Sequence, residues 1–122
     1  MYKFDVKGIV MNFSTEEKDN FTVVVSGVEK LDATNASELK STLLVVNKNS
    51  VNNIVLDMSK SVYCDSSGLS AILLGNRLCK DAGGKFVIAS LKPNVQKLIE
   101  ISQLNSVLNI VESAEEAIKV LA

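Results

Sequence analysis

Three short, almost uninterrupted apolar runs alternate with segments of helical spacing in the second half of this chain: Asn53-Ile54-Val55-Leu56-Asp57, Phe86-Val87-Ile88-Ala89 and Val107-Leu108-Asn109-Ile110-Val111. Apolar runs this short, bounded by polar residues, suit strands buried on both faces, which is the environment of a parallel sheet. Parallel neighbours need long crossover connections, and the intervening segments supply them as helices. One begins near Ser66, carries Leu69, Ile72, Leu73, Asn76 and Leu78, and stops before Gly83-Gly84, as a glycine past a helix end predicts. The next opens at Pro93, whose fixed φ suits a first turn, and carries Val95, Leu98 and Ile99. After the last run, Ser113 and Glu116 form a capping-box pair ahead of Ala117, Ile118 and Leu121. The chain therefore ends β-α-β-α-β-α.

The first half opens differently. Ile9-Val10-Met11-Asn12-Phe13 and Phe21-Thr22-Val23-Val24-Val25 are rich in β-branched and aromatic residues, and polar Glu16 to Asn20 separate them, which predicts an antiparallel hairpin. Beyond Gly27, Asn35 and Glu38 make another capping-box pattern before Ala36, Leu39, Leu43 and Val46 at helical spacing. A strand hairpin followed by alternating strands and helices predicts an α/β domain with a mixed four- or five-stranded sheet and about four helices. No repeat, low-complexity tract or linker interrupts residues 1–122, and a single domain is expected. At this length roughly two-thirds of the unfolded surface is buried. With 47% hydrophobic residues available, neither disulfides nor metals are needed to hold the core.

Several functions are disfavoured on composition. The 13 basic and 14 acidic residues are scattered, so the basic face that drives nucleic-acid binding is missing. Apolar stretches such as Leu43-Leu44-Val45-Val46 fall far short of the ~20 residues that span a bilayer. The opening Met1-Tyr2-Lys3-Phe4-Asp5 lacks the pattern of a signal peptide. A cytoplasmic protein without nucleic-acid or membrane partners is expected. Cys64 and Cys79 are spaced too widely for a redox pair and read as reduced, partly buried residues. Histidine is absent from the sequence, which removes Ser-His-Asp and Cys-His catalysis and the commonest zinc ligand. No enzyme activity, metal or cofactor is therefore expected. Ser66 at a strand-to-helix turn fails as a nucleophile elbow because Cys64 stands where that motif has glycine. Gly83-Gly84-Lys85-Phe86 fails as a phosphate loop because Cys79 and Phe86 replace its essential residues. Glu115-Glu116 suits the positive start of a helix without implying acid/base chemistry.

The segment Tyr63-Cys64-Asp65-Ser66-Ser67-Gly68-Leu69 carries the functional signal. It falls where a strand gives way to a helix, so its backbone N–H groups and the helix dipole favour an anion there. Asp65 or Ser66 can cap that helix, and a capping role alone would account for both.

From about Phe21 to Leu121 the sequence resembles the STAS domain family of bacterial anti-sigma-factor antagonists. Asp65-Ser66-Ser67-Gly68-Leu69 matches the family pattern Asp-Ser-Ser/Thr-Gly-Leu in full. Ile54-Val55-Leu56-Asp57, Gly83-Gly84 before Phe86, and Leu98 to Leu104 are further matches. The resemblance implies that Ser66 is phosphorylated by a partner that is both anti-sigma factor and serine kinase, with Ser67 a minor alternative acceptor. A serine phosphatase would remove the phosphate from phospho-Ser66. The unphosphorylated protein would bind the kinase and release its sigma factor, with Asp65, Ser67, Gly68 and Leu69 at the binding face. Asp32 belongs to a Gly-x-Leu-Asp stretch of the family, but here two additional residues precede Leu31-Asp32. Asp32 is thus either a turn residue or a partner-facing one. An alternative implied by the same resemblance is an accessory subunit or scaffold of a transporter or sensor assembly, with Ser66 structural.

Overall fold

The computed structural model describes residues 12–48 and 52–121. Its main sheet has five strands: β1 (Phe13–Glu17), β2 (Thr22–Ser26), β4 (Ile54–Asp57), β6 (Phe86–Ala89) and β7 (Asn109–Val111), in the order β1-β2-β4-β6-β7. β1 pairs antiparallel with β2, and every other pair in this sheet is parallel. Two more short strands, β3 (Lys30–Leu31) and β5 (Tyr63–Cys64), pair with each other as a separate parallel ribbon. Four helices complete the chain: α1 (Ala36–Lys48), α2 (Ser66–Asp81), α3 (Pro93–Ile101) and α4 (Ala114–Leu121). The fold is the mixed α/β arrangement that the strand and helix alternation predicts.

Both faces of the sheet are covered, which explains why β4 and β6 read as continuous apolar runs. Val24, Ile54, Leu56, Phe86 and Ile88 join the larger core with Leu39 and Leu43 of α1, Ile72 of α2, and Val95 and Ile99 of α3. On the opposite face Phe21, Val55, Val87 and Ala89 pack with Ala117 and Leu121 of α4. One residue on α2 sets how closely helix and sheet approach. A Cβ at Gly75 would stand 2.6 Å from Cε1 of the buried Phe86 ring, closer than carbon atoms tolerate. Overpacking of this kind costs typically about 1 to 3 kcal/mol. Gly75→Ala is therefore expected to lower the urea midpoint with an unchanged slope, and a midpoint equal to the parent's would contradict this packing.

The structure corrects several sequence expectations. The first strand, expected at residues 9–13, is β1 at Phe13–Glu17, and the turn into β2 is closed by the Lys18 N–H donating to the Phe21 carbonyl at 2.8 Å. Beyond Phe13 and Ser14 the side chains of this edge strand are exposed, so its sequence carries no apolar alternation. Residues 9–11 of that expectation lie outside the described residues. The Asn35/Glu38 capping box does not form. Asn35 instead accepts from the Asp32 N–H (3.0 Å) and donates to the Lys30 carbonyl (2.9 Å), while Glu38 accepts from the Asn12 side chain (2.9 Å). At α4 the Ser113 hydroxyl caps the Glu116 N–H (3.2 Å), but Glu116 reaches back to the N–H of Glu112, one residue before the expected partner. The last strand begins at Asn109, because Val107 and Leu108 are held in turns through the Leu104 carbonyl. Leu108 there plugs the core from a loop.

Candidate functional site

The start of α2 is mounted on the small ribbon. Leu31 of β3 pairs with Cys64 of β5, and the Leu31 carbonyl then accepts the Asp65 N–H at 3.1 Å. Asp65, extended at φ −108° and ψ −172°, is the N-cap: its Oδ1 accepts the Gly68 N–H at 3.0 Å, and its carbonyl accepts the Leu69 N–H at 2.9 Å. The cap chemistry thus falls to Asp65. Ser66, at the first helical position, is exposed, and its hydroxyl makes no hydrogen bond to any described residue. The first turn of α2 contains no acidic residue, so the positive end of the helix dipole beside Ser66 is offset only by the cap.

Gly68 shows why this helix start is so closely seated. A Cβ there would lie 2.6 Å from the Leu31 carbonyl oxygen and 2.8 Å from the Cys64 Sγ. Gly68 and Leu69 are both buried and anchor the helix, and the exposed surface is left to Ser66, Ser70 and the partly exposed Asp65 and Ser67. Burial, followed by the neighbouring Asp65 charge, pushes the Cys64 thiol up to about 12. Burial likewise raises Cys79 to about 11. Both cysteines are free and buried, as neutral thiols.

The ribbon brings Asp32 to the same end of the molecule, one residue beyond Leu31, despite the additional residues before it. Its Oδ1 accepts from the Thr34 hydroxyl (2.6 Å) and the Thr34 N–H (3.0 Å), and these bonds hold its carboxyl below the ordinary range. Asp32 therefore closes the turn that leads into α1.

Other features of the site carry no sequence signature. In the buried pair Ser26 and Ser61 the hydroxyl oxygens are 2.8 Å apart, and Ser61 donates to the Val28 carbonyl at 2.7 Å, so Ser26 must donate to Ser61. This hydroxyl chain ties the loop before β5 to the loop after β2, and so fixes the ribbon under α2. A shallow groove of about 330 Å³ also opens between α1 and α2, with Ala33, Ala36, Ser37 and Lys40 on one side and Ser66, Ser67 and Ser70 on the other. Which α1 residues reach it depends on how the two helices pack, information that local spacing does not hold. Val62 and Tyr63, just before the motif, are large exposed apolar side chains. Among the described residues, no group of three His, Cys, Asp or Glu comes together that could hold a metal ion, and no helix is long and apolar enough to cross a membrane.

Fold and site together define a small α/β domain that displays a capped, exposed serine at a helix start beside a shallow groove. A family model described as the STAS domain matches residues 12–117. The chain belongs to the STAS domain family. It is 30% identical over 87 residues, 71% of its length and 75% of the relative's, to BtrV of Bordetella bronchiseptica, named as a candidate anti-sigma factor antagonist. Among solved structures it resembles a candidate anti-sigma factor antagonist from Thermotoga maritima, with a TM-score of 0.80, 23% identity, and coverage of 89% of this chain and 93% of that one. The Bacillus cell fate determinant SpoIIAA in its phosphorylated form gives a TM-score of 0.70 at 19% identity, covering 90% of this chain and 99% of that one. SpoIIAA in its unphosphorylated form gives 0.66 at 17% identity, covering 85% and 91%. At these identities the structural likenesses speak to the fold.

Proposed function

We propose that this protein is an anti-sigma-factor antagonist switched by phosphorylation of Ser66. Unphosphorylated, it binds an anti-sigma factor that is also its serine kinase and so frees the sigma factor. A serine phosphatase returns phospho-Ser66 to the binding form. The observation that carries the reading is the division of labour at the start of α2: Asp65 takes the capping bond, and the exposed Ser66 hydroxyl has no hydrogen-bond partner among the described residues. A structural serine, as in an accessory subunit, would be expected to hold such a bond. Ser67, half-buried and one position further into the helix, is the less accessible acceptor. The relative named as a candidate antagonist of an anti-sigma factor supports the partner class.

The test supplies the cognate kinase and ATP and maps the phosphate by mass spectrometry. Parent protein is expected to gain one phosphate on Ser66, and Ser66→Ala to lose it. Phosphate persisting on Ser67 in Ser66→Ala at the parent's rate would move the acceptor by one residue.

A further inference from the structure

Among the described residues, one charged side chain lines the groove beside Ser66. Lys40 reaches it from the second turn of α1, where the other lining residues are alanines and serines. Lys40 is half-buried. Among the described residues the one ion pair joins Lys18 to Glu16, so no described carboxylate lies within pairing distance of Lys40. An ammonium on a flexible stem, held beside neutral hydroxyls, is a point-charge receptor for an anion. On the reading above the anion arrives covalently, because a phosphoryl group on Ser66 enters the same groove. We infer that Lys40 pairs with the phosphoryl group of phospho-Ser66 and holds it in the groove between α1 and α2, so that the modified protein presents a filled groove in place of an open one.

The surrounding charges leave this role to Lys40. Asp65 and Asp32, the carboxylates at this end of the ribbon, are both held by hydrogen bonds, to the Gly68 N–H and to Thr34 respectively. Both repel a phosphate. Lys30, the cation whose charge acts on Asp32, does not line the groove, so the attraction within it comes from Lys40 and from the start of α2, and of these only Lys40 can be removed by a surface substitution. The phosphate brings about −1.5 to −2 charges near neutral pH, its second ionisation falling near 6. A cation beside it favours the dianion and lowers that second ionisation constant.

This inference rests on Ser66 as the modified residue, and its test is made independent of any kinase. The full chain is produced with phosphoserine incorporated at position 66 during translation, and the phosphate is titrated by phosphorus NMR. Lys40→Gln is expected to raise its second pKa by about 0.2 to 0.7 unit, the range of a partly exposed ion pair. Lys40→Arg should restore the parent value, and about 1 M salt should shrink the difference. Circular dichroism on the same samples verifies that each variant is folded. An identical pKa in the parent and Lys40→Gln, or an Arg variant that behaves like Gln, overturns the inference. A kinase that never modifies Ser66 would instead overturn the functional reading and leave this titration unchanged.

Discussion

Carrying phosphate on Ser66, the protein is expected to bind the proposed kinase partner roughly 100- to 1000-fold more weakly while its circular dichroism spectrum stays the same. The fold tolerates the charge because Ser66 is exposed at a helix start, where an anion is stabilised by the dipole and by N–H groups that lack intrahelical partners. The complex is different. A docked partner would press the phosphate against protein and strip its water, and the part of its charge of about −1.5 to −2 that one lysine leaves unmatched costs several kcal/mol to bury after relaxation. A penalty of about 3 to 4 kcal/mol corresponds to the stated loss, at tenfold for each ~1.4 kcal/mol. Titration of both forms against the kinase measures the ratio. Equal affinities, or a phosphorylated protein with much of its secondary structure gone, would refute the mechanism.

What the sequence disclosed follows from where each signal is stored. β4, β6 and helices α1 to α4 were legible because burial imposes periodicity or continuous apolarity over many residues, as at Ile54-Val55-Leu56 and at Leu39, Leu43 and Val46. The ribbon was not, since β3 and β5 are two residues each and two residues have no period. The position of β1 was misread because an edge strand with exposed side chains looks like a polar loop. Within the site, Asp65 and Ser66 were legible from local cap chemistry joined to a family pattern. Which of them caps was open until the Asp65 to Gly68 bond was seen. A motif records that Gly68 and Leu69 are required without recording whether they face outward; in the free domain both are buried. Lys40 and the Ser26–Ser61 pair stood outside any reading of neighbours, since Ser61 meets Ser26 across 35 positions of chain.

The requirement for glycine at position 68 leads to the second large effect. Gly68→Val is expected to cost about 3 kcal/mol of stability, the upper part of the range for overpacking a close contact. The first atom added already meets a backbone oxygen, that of Leu31, at 2.6 Å, and a carbonyl fixed in a strand pair cannot turn aside as a side-chain end can. Moreover, the same Leu31 oxygen accepts the Asp65 N–H, so displacing it loosens the bond that joins β3 to the helix start. Valine adds branched atoms near the Cys64 Sγ and the Leu31 side chain, both buried and closely surrounded. A loss of this size is a large share of the roughly 5 to 15 kcal/mol that stabilises a domain. By contrast, Asp65→Ala removes a cap worth typically about 1 kcal/mol and leaves the contact intact. Urea denaturation should therefore rank the variants parent, Asp65→Ala, Gly68→Val in falling midpoint. The lower rank of Gly68→Val should be matched by poor phosphorylation, even though Ser66 is unchanged, because the ribbon and helix start that present it are one packed unit. A Gly68→Val protein that unfolds at the parent's urea concentration would mean that α2 is not seated against Leu31 in this way, and Ser66 would lose the rigid mount on which its proposed role as the switch depends.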